Sequence, residues 1–346
     1  MSELRTQGGK MLKTIKHTAI LSLFTVAGFT GMPVQAGLDV ELIKTSDCFS
    51  GTFASYDRWI KKLTEKVSDK PGSEQRLKNM KELFKKEDFE NYRENIKCKN
   101  IVYKVNDAVV TGYYVAPKGQ SNLPVIINNR GGNGRYGAWV FGNVYLQLFD
   151  LAKNENVAIF ASNYRGIYPK LPGKDEFGGA DVNDVVALPL LFKHFPNVNP
   201  EKVGVYGASR GGMQSLLAVK NGLDVDAIVL FAGQYDLLEG QKHRPEMERV
   251  HKARIPNYEK NREEELRKRS AMFWMDEIDN DIPILLIHGD DDKRVSVDSS
   301  IGLDKILEEK GFTHKLSIYE GGGHRYGENA EAIRSEMMSW FKTHWE

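Results

Sequence analysis

The sequence predicts an α/β protein, with a mostly parallel eight-stranded sheet, helices on both faces, and a small helical segment ahead of them. Two observations predict it. From Cys98 onward, short apolar runs alternate with stretches of helical period. Several runs, such as PVIINN, KVGVYG and PILLIHG, are almost continuously apolar, the mark of strands buried on both faces.

Each element can be taken in chain order. Residues 1–36 stand apart. Lys13 and Lys16 make a basic start, Ala19–Phe29 an apolar core, and Val34-Gln35-Ala36 a small-x-small cleavage site. The core is short for a bilayer span, so a signal peptide and export to a periplasmic or secreted location are expected. Met11 offers an alternative start, which makes residues 1–10 an upstream extension.

Residues 37–97 read as helical. Tyr56, Trp59, Ile60, Leu63 and Val67 share one helix face, Pro71-Gly72 breaks it, and Leu77, Met80, Leu83 and Phe84 mark a second helix. The segment is a packing appendage or a cap over a cleft. Residues 98–346 form the main domain. IVYKV (101–105) and AVVTGYYVAP (108–117) read as a hairpin, followed by strands at 124–129, 157–164, 202–207, 227–233, 283–289 and 314–321. Helices are expected over Gly137–Lys153, Val182–His194, Met213–Asn221, Ser299–Glu309 and Glu328–His344. A charged insertion, residues 234–278, is broken by Pro245 and Pro256 and is either a solvated excursion or a lid.

Composition narrows the function. The 346 residues are 41% hydrophobic and 27% charged with a formal net charge of +1. That balance gives no bulk attraction to nucleic acid or, once a leader is removed, to membranes. No zinc-ligand spacing or phosphate loop appears, so no cofactor or metal is implied. Oligomeric state is not readable. The two cysteines, Cys48 and Cys98, permit a disulfide in an oxidising compartment.

The chemistry centres on VGVYGASRGGMQS (203–215), where Gly207-x-Ser209-x-Gly211 joins a buried strand to a helix. A serine on such a turn has its hydroxyl above the sheet. Serine needs a base, and the base an orienting acid. Of eight histidines, one (His17) lies in the leader, and only His324, in YEGGGHRYG after the last strand, combines a strand-end address with a flexible loop. The acid is expected in HGDDDKRV, which offers Asp290, Asp291 and Asp292, with Asp236 as a second address. Ser, then Asp, then His is the chain order of the α/β-hydrolase triad.

From about residue 100 to the end, the chain resembles the prolyl oligopeptidase family of serine hydrolases. The resemblance rests on Gly207-x-Ser209-x-Gly211-Gly212, Asn163-Tyr164-Arg165-Gly166, His288-Gly289-x-x-Asp292-x-x-Val295 and Gly-Gly-His324. It implies an α/β-hydrolase fold and a Ser209–Asp292–His324 triad, leaving Asp290 and Asp291 as turn residues. It implies hydrolysis of a small ester or short peptide through an acyl-enzyme. Two departures stand out. The family's peptidases usually carry a gating β-propeller, whereas residues 37–97 read as helices. The usual His-Gly-Gly is here Asn129-Arg130-Gly131-Gly132. A carboxylesterase is therefore the alternative to a peptidase. The oxyanion is expected to meet the Arg210 backbone N–H and a donor from the loop at Gly132, with Tyr136 as a side-chain donor. Arg130 and Arg210 are expected in structural ion pairs, and Arg165, Asp181 and Asp184 in the scaffold. A non-catalytic binding protein on the same fold is the rival class.

Overall fold

The computed structural model describes residues 37–345, so the leader and cleavage-site readings lie outside the described residues. Its first element is β1 (Val40–Asp47), followed by α1 (Tyr56–Val67), α2 (Ser73–Leu83) and α3 (Lys86–Asn95). The hairpin is β2 (Ile96–Val105) and β3 (Ala108–Pro117). After β4 (Leu123–Asn129) come α4 (Phe141–Val144) and α5 (Asp150–Glu155), joined by a π-helical turn over Tyr145–Phe149. Then follow β5 (Ala158–Ser162), α6 (Asn183–Val186), β6 (Val198–Ala208), α7 (Arg210–Lys220) and β7 (Ala227–Phe231). The insertion folds as α8 (Leu237–His243), α9 (Met247–Arg254) and α10 (Tyr258–Lys268). The chain closes with β8 (Ile284–Gly289), α11 (Asp298–Glu309), β9 (His314–Tyr319) and α12 (Ala330–His344).

The nine strands of the described residues form one sheet in the order β1-β2-β3-β5-β4-β6-β7-β8-β9. Pairing is antiparallel from β1 to β3 and between β3 and β5, and parallel across the rest. The sheet is thus mixed but mostly parallel, with helices on both sides. It has nine strands rather than eight because Val40–Asp47, expected to be helical, pairs with β2. Only Val40 and Leu42 turn inward from this polar edge strand, packing partly buried against the core, so its alternation is too short to stand out. The expected helix over 182–194 is also broken: α6 ends at Val186 and a 3-10 turn starts at Pro189, which has no N–H to continue the ladder.

Alternation along the central strands divides the core in two. Val125, Ile127, Val205, Leu230 and Leu286 face α6, α7 and α11. Ile126, Tyr206, Val229, Phe231 and Ile287 face α4, α5 and α12. Each such side chain fully buried contributes about 1.5–3 kcal/mol. Onto the second face the N-terminal helices add an aromatic cluster, in which Trp59 packs against Phe84, Phe89, Phe141 and Tyr145. The β1–β2 ladder sets Cys48 opposite Cys98. The Cys48 N–H donates to the Cys98 carbonyl at 3.1 Å, and the two side chains form a disulfide with Cα atoms 5.4 Å apart.

Candidate active site

The parallel strands all end on one rim, and three of those ends supply the site. Ser209 lies between β6 and α7 at φ 56° and ψ −124°. That left-handed strain is held by its surroundings. The Ser209 N–H donates to the Phe231 carbonyl at 2.8 Å, and its own carbonyl accepts from Gly212 N–H. The flanking glycines are required: a Cβ at Gly211 would lie 2.0 Å from the Asn129 carbonyl oxygen, and one at Gly207 would lie 2.2 Å from that of Gly211.

His324 comes from the loop after β9. Its Nε2 is 3.0 Å from Ser209 Oγ and its Nδ1 is 2.7 Å from Asp292 Oδ2. Asp292, from the loop after β8, is buried, and its Oδ1 accepts from the N–H groups of Arg294 (2.8 Å) and Val295 (3.1 Å). Burial alone would raise this carboxyl. Hydrogen bonds from His288, His324 and the two backbone N–H groups outweigh it and hold Asp292 well below the usual carboxylate range. Asp236, the second address, is instead the N-cap of α8, accepting from Leu238 and Glu239 N–H.

Several neighbours were not read as part of the site. His288 Nε2 lies 3.1 Å from the Val295 carbonyl, an obligate acceptor, so this nitrogen carries the proton and Nδ1 accepts from Ser300 Oγ at 2.7 Å. The same Nε2 is 3.3 Å from Asp292 Oδ2. Asp290 Oδ1 accepts from Gly321 N–H at 2.7 Å, and Asp291 N–H donates to the Gly322 carbonyl at 2.9 Å, so both turn residues also brace the histidine loop. At the loop's far end, the Tyr326 and Tyr206 hydroxyls are hydrogen-bonded, and the Tyr326 ring stands edge-on to Phe231 at 4.7 Å. The His-Gly spacing was visible in the sequence; the tyrosine pair, 120 residues apart, left no local signal.

The Gly-rich loop after β4 reaches Ser209. A Cβ on Gly131 would lie 3.1 Å from Ser209 Cβ, so the Gly131-Gly132 backbone passes directly beside the serine. Arg210 opens α7, and its N–H has no acceptor within the helix. Its guanidinium is buried in ion pairs, 2.7 Å from both Asp175 and Asp181. Burial would lower this guanidinium, but the two carboxylates hold it above its ordinary value. Arg130 departs from expectation: it makes no ion pair within 4.0 Å among the described residues, and donates instead to the carbonyls of Asn163, Gly131, Tyr136 and Gly134. Its role is to satisfy the carbonyls of an irregular loop, and burial lowers it to about 10. Arg165 and Asp184 form a buried bidentate pair. Tyr136 is 63% exposed, and its hydroxyl accepts from Arg294 at 3.1 Å.

Residues 149–346, more than half of the chain, match the prolyl oligopeptidase family. The chain belongs to that family. This prolyl oligopeptidase family member is 26% identical over 263 residues to a Bacillus subtilis (strain 168) protein described as uncharacterized peptidase YtmA, covering 75% of this chain and 99% of the other. Among solved structures it is similar to an acylaminoacyl peptidase of Pyrococcus horikoshii, with a TM-score of 0.60 and 20% identity. That match covers 72% of this chain but only 42% of the peptidase. It is also similar to a thermostable esterase from Pseudomonas putida ECU1011, with a TM-score of 0.57 and 16% identity over 73% of this chain and 84% of the esterase. Membership of this family makes the protein a serine hydrolase on an α/β-hydrolase fold.

Proposed function

We propose that this serine hydrolase is an exported enzyme that cleaves small esters or short peptides through a Ser209 acyl-enzyme. The observation that carries the reading is the unbroken chain from Ser209 Oγ to His324 (3.0 Å) and on to Asp292 (2.7 Å), with the serine on a strained strand-to-helix turn. Ser209 attacks the carbonyl while His324 takes its proton and passes it to the leaving group. Asp292, kept ionised, holds Nδ1 protonated and stabilises the imidazolium. The oxyanion is met by the Arg210 N–H and a backbone N–H at Gly132. The Tyr136 hydroxyl, which accepts from Arg294, keeps its own proton for donation at the rim. Losing one such donor costs about 3 kcal/mol of transition-state stabilisation. Acylation by esters and by amides uses the same groups. The likeness to the Pseudomonas putida esterase, over most of that chain, favours carboxylesterase activity as the second reading. Export rests on the leader-like residues 1–36 and on the Cys48–Cys98 disulfide, a bond that persists in oxidising compartments.

The test begins with a fluorophosphonate probe. The folded protein is expected to label, and Ser209→Ala to remain unlabelled. Equal labelling of the two, or none of either, refutes the nucleophile and favours a binding role. Turnover of short acyl p-nitrophenyl esters against peptide p-nitroanilides then separates esterase from peptidase.

A further inference from the structure

The loop that faces Ser209 has little backbone preference for one shape and depends on its side-chain partners, Arg130 among them, to hold it. Asn129–Gly137 contains four glycines, of which Gly132, Gly134 and Gly137 take φ values of 73°, 50° and 77°. Glycine loses more conformational freedom on ordering than any other residue. Transition-state stabilisation, by contrast, needs donors fixed before the reaction begins.

One carboxylate outside the triad joins this loop to the helix beside Ser209. Asp175, in the long connection after β5, has a fully buried side chain. Its Oδ2 accepts from the Gly134 N–H at 2.6 Å and from Arg210 Nη1 at 3.0 Å. Its Oδ1 accepts from the Phe177 N–H at 3.0 Å and from Arg210 Nη2 at 2.7 Å. The same Arg210 Nη1 donates to the Gly132 carbonyl at 3.1 Å. A closed circuit results: Gly132 to Arg210, Arg210 to Asp175, and Asp175 back to Gly134. Outside it, Arg254 of α9 donates to Asn133 Oδ1 at 3.1 Å and approaches Asp175 to 3.8 Å, tying the insertion to the same loop. The Arg210 guanidinium is also sandwiched between the rings of Tyr164 and Phe177, at 5.2 and 4.5 Å.

We infer that Asp175 is a positioning residue for the oxyanion hole, locking the Gly131–Gly134 loop to Arg210 so that the donors on either side of Ser209 keep one spacing. The inference rests on the proposed role of Ser209 as nucleophile. Asp175 touches no reacting atom; it acts through Arg210 and Gly134. An ordinary buried ion pair would be satisfied by Asp181 alone, which already accepts from Arg210 Nη2 at 2.7 Å. Asp175 adds the link to the loop.

The experiment compares wild type with Asp175→Asn, which keeps the shape and leaves Asp181 to balance Arg210. Three quantities are read on the folded protein: kcat and KM for p-nitrophenyl acetate, and affinity for a trifluoromethyl ketone that adds to the serine and forms an oxyanion. A misplaced donor is expected to lower kcat by roughly 10- to 100-fold with KM within about twofold. Trifluoromethyl ketone affinity is expected to fall by the same factor. A purely structural role would lower thermal stability and leave both ratios unchanged, and that result overturns the inference, as does a loss confined to KM. Arg210→Lys serves if Asp175→Asn does not fold. It keeps a cation but cannot reach the Gly132 carbonyl and both carboxylates together, and the same criteria apply. If both fold, the double variant is expected to be no slower than the slower single, because the two act through one circuit; additive losses overturn the inference. A wild type that hydrolyses no ester and does not label at Ser209 sinks the nucleophile reading instead, an outcome distinct from normal wild-type turnover with an unaffected Asp175→Asn.

Discussion

Asp292 has four hydrogen-bonding neighbours sharing its two oxygens. Oδ1 takes two backbone N–H groups, while Oδ2 faces His324 Nδ1 and His288 Nε2. Because Oδ2 can only accept while ionised, Nδ1 of His324 must keep its proton and Nε2 is left free, as the proposed mechanism requires, to receive one from Ser209. In Asp292→Asn, an amide NH₂ toward His324 forces Nδ1 to accept and moves the ring proton to Nε2, where it blocks the base. The expected loss in kcat is about 10⁴-fold. Burst titration with a p-nitrophenyl ester checks it, and a loss below tenfold argues against the assigned acid. The same carboxylate links stability to pH. Its pKa in the fold lies below the unfolded value, so its contribution is present above roughly pH 4 and is lost as pH falls toward the lower folded value. Acid-unfolding curves of wild type are therefore expected to fall more steeply below that pH than those of Asp292→Asn.

The insertion has its own titratable core, at the scale of three packed helices. His251 of α9 is buried, with its ring 5.0 Å from Phe177 and its Nδ1 3.1 Å from Gln241 Nε2 of α8. Gln241 Nε2 also donates to Tyr258 Oη of α10 at 2.7 Å, and its Oε1 accepts from Arg262. The amide N–H makes Nδ1 the acceptor, so the imidazole is neutral. Burial, reinforced by the cations Arg269, Arg262 and Arg210, lowers it to about 4. Between that value and the unfolded 6.5, the unfolded chain binds the extra proton, so stability rises with pH across this window and is lost on acidification. At pH 5 the loss relative to pH 7 is roughly 2 kcal/mol. Urea midpoints at the two pH values are expected to separate more for wild type than for His251→Gln, which keeps an acceptor but does not titrate. Equal separations would remove His251 from the account. None of this was legible beforehand. The insertion reads as a charged excursion, because its interior is built from contacts between residues on different helices, such as Gln241 with His251 and Tyr258, rather than from periodicity within one.

At the scale of the molecule, what was legible followed from local pattern. The buried parallel strands announce themselves as apolar runs, and Ser209, Asp292 and His324 follow three of their ends in a recognisable chain order. What was hidden depends on pairing across distance. β1 is an edge strand with one neighbour and a polar outer face, so its VELIKTSD lacks the alternation of a half-buried strand, and without β1 the register that brings Cys48 to Cys98 cannot be read. Asp175 reaches Arg210 from 35 residues away, and nothing in LPGKDEFGG marks its burial. The disulfide is another of these long-range links. It spans 50 residues and encloses α1, α2 and α3, of which α1 packs Trp59 on Phe141 and Tyr145 of the segment that follows the Gly-rich loop, and α3 packs Phe89 on Phe141. Closing a loop of this length removes unfolded-state entropy equivalent to about 4 kcal/mol. Cys48→Ser/Cys98→Ser is therefore expected to unfold at a clearly lower denaturant concentration than the oxidised wild type. Dithiothreitol is expected to bring wild type down to the level of the variant. The helices inside the loop should also gain amide exchange before the central strands do, because the covalent tie between the two ends of their segment is then gone. An unchanged denaturation midpoint in the double variant would mean that the aromatic cluster, and not the covalent link, holds the N-terminal segment in place.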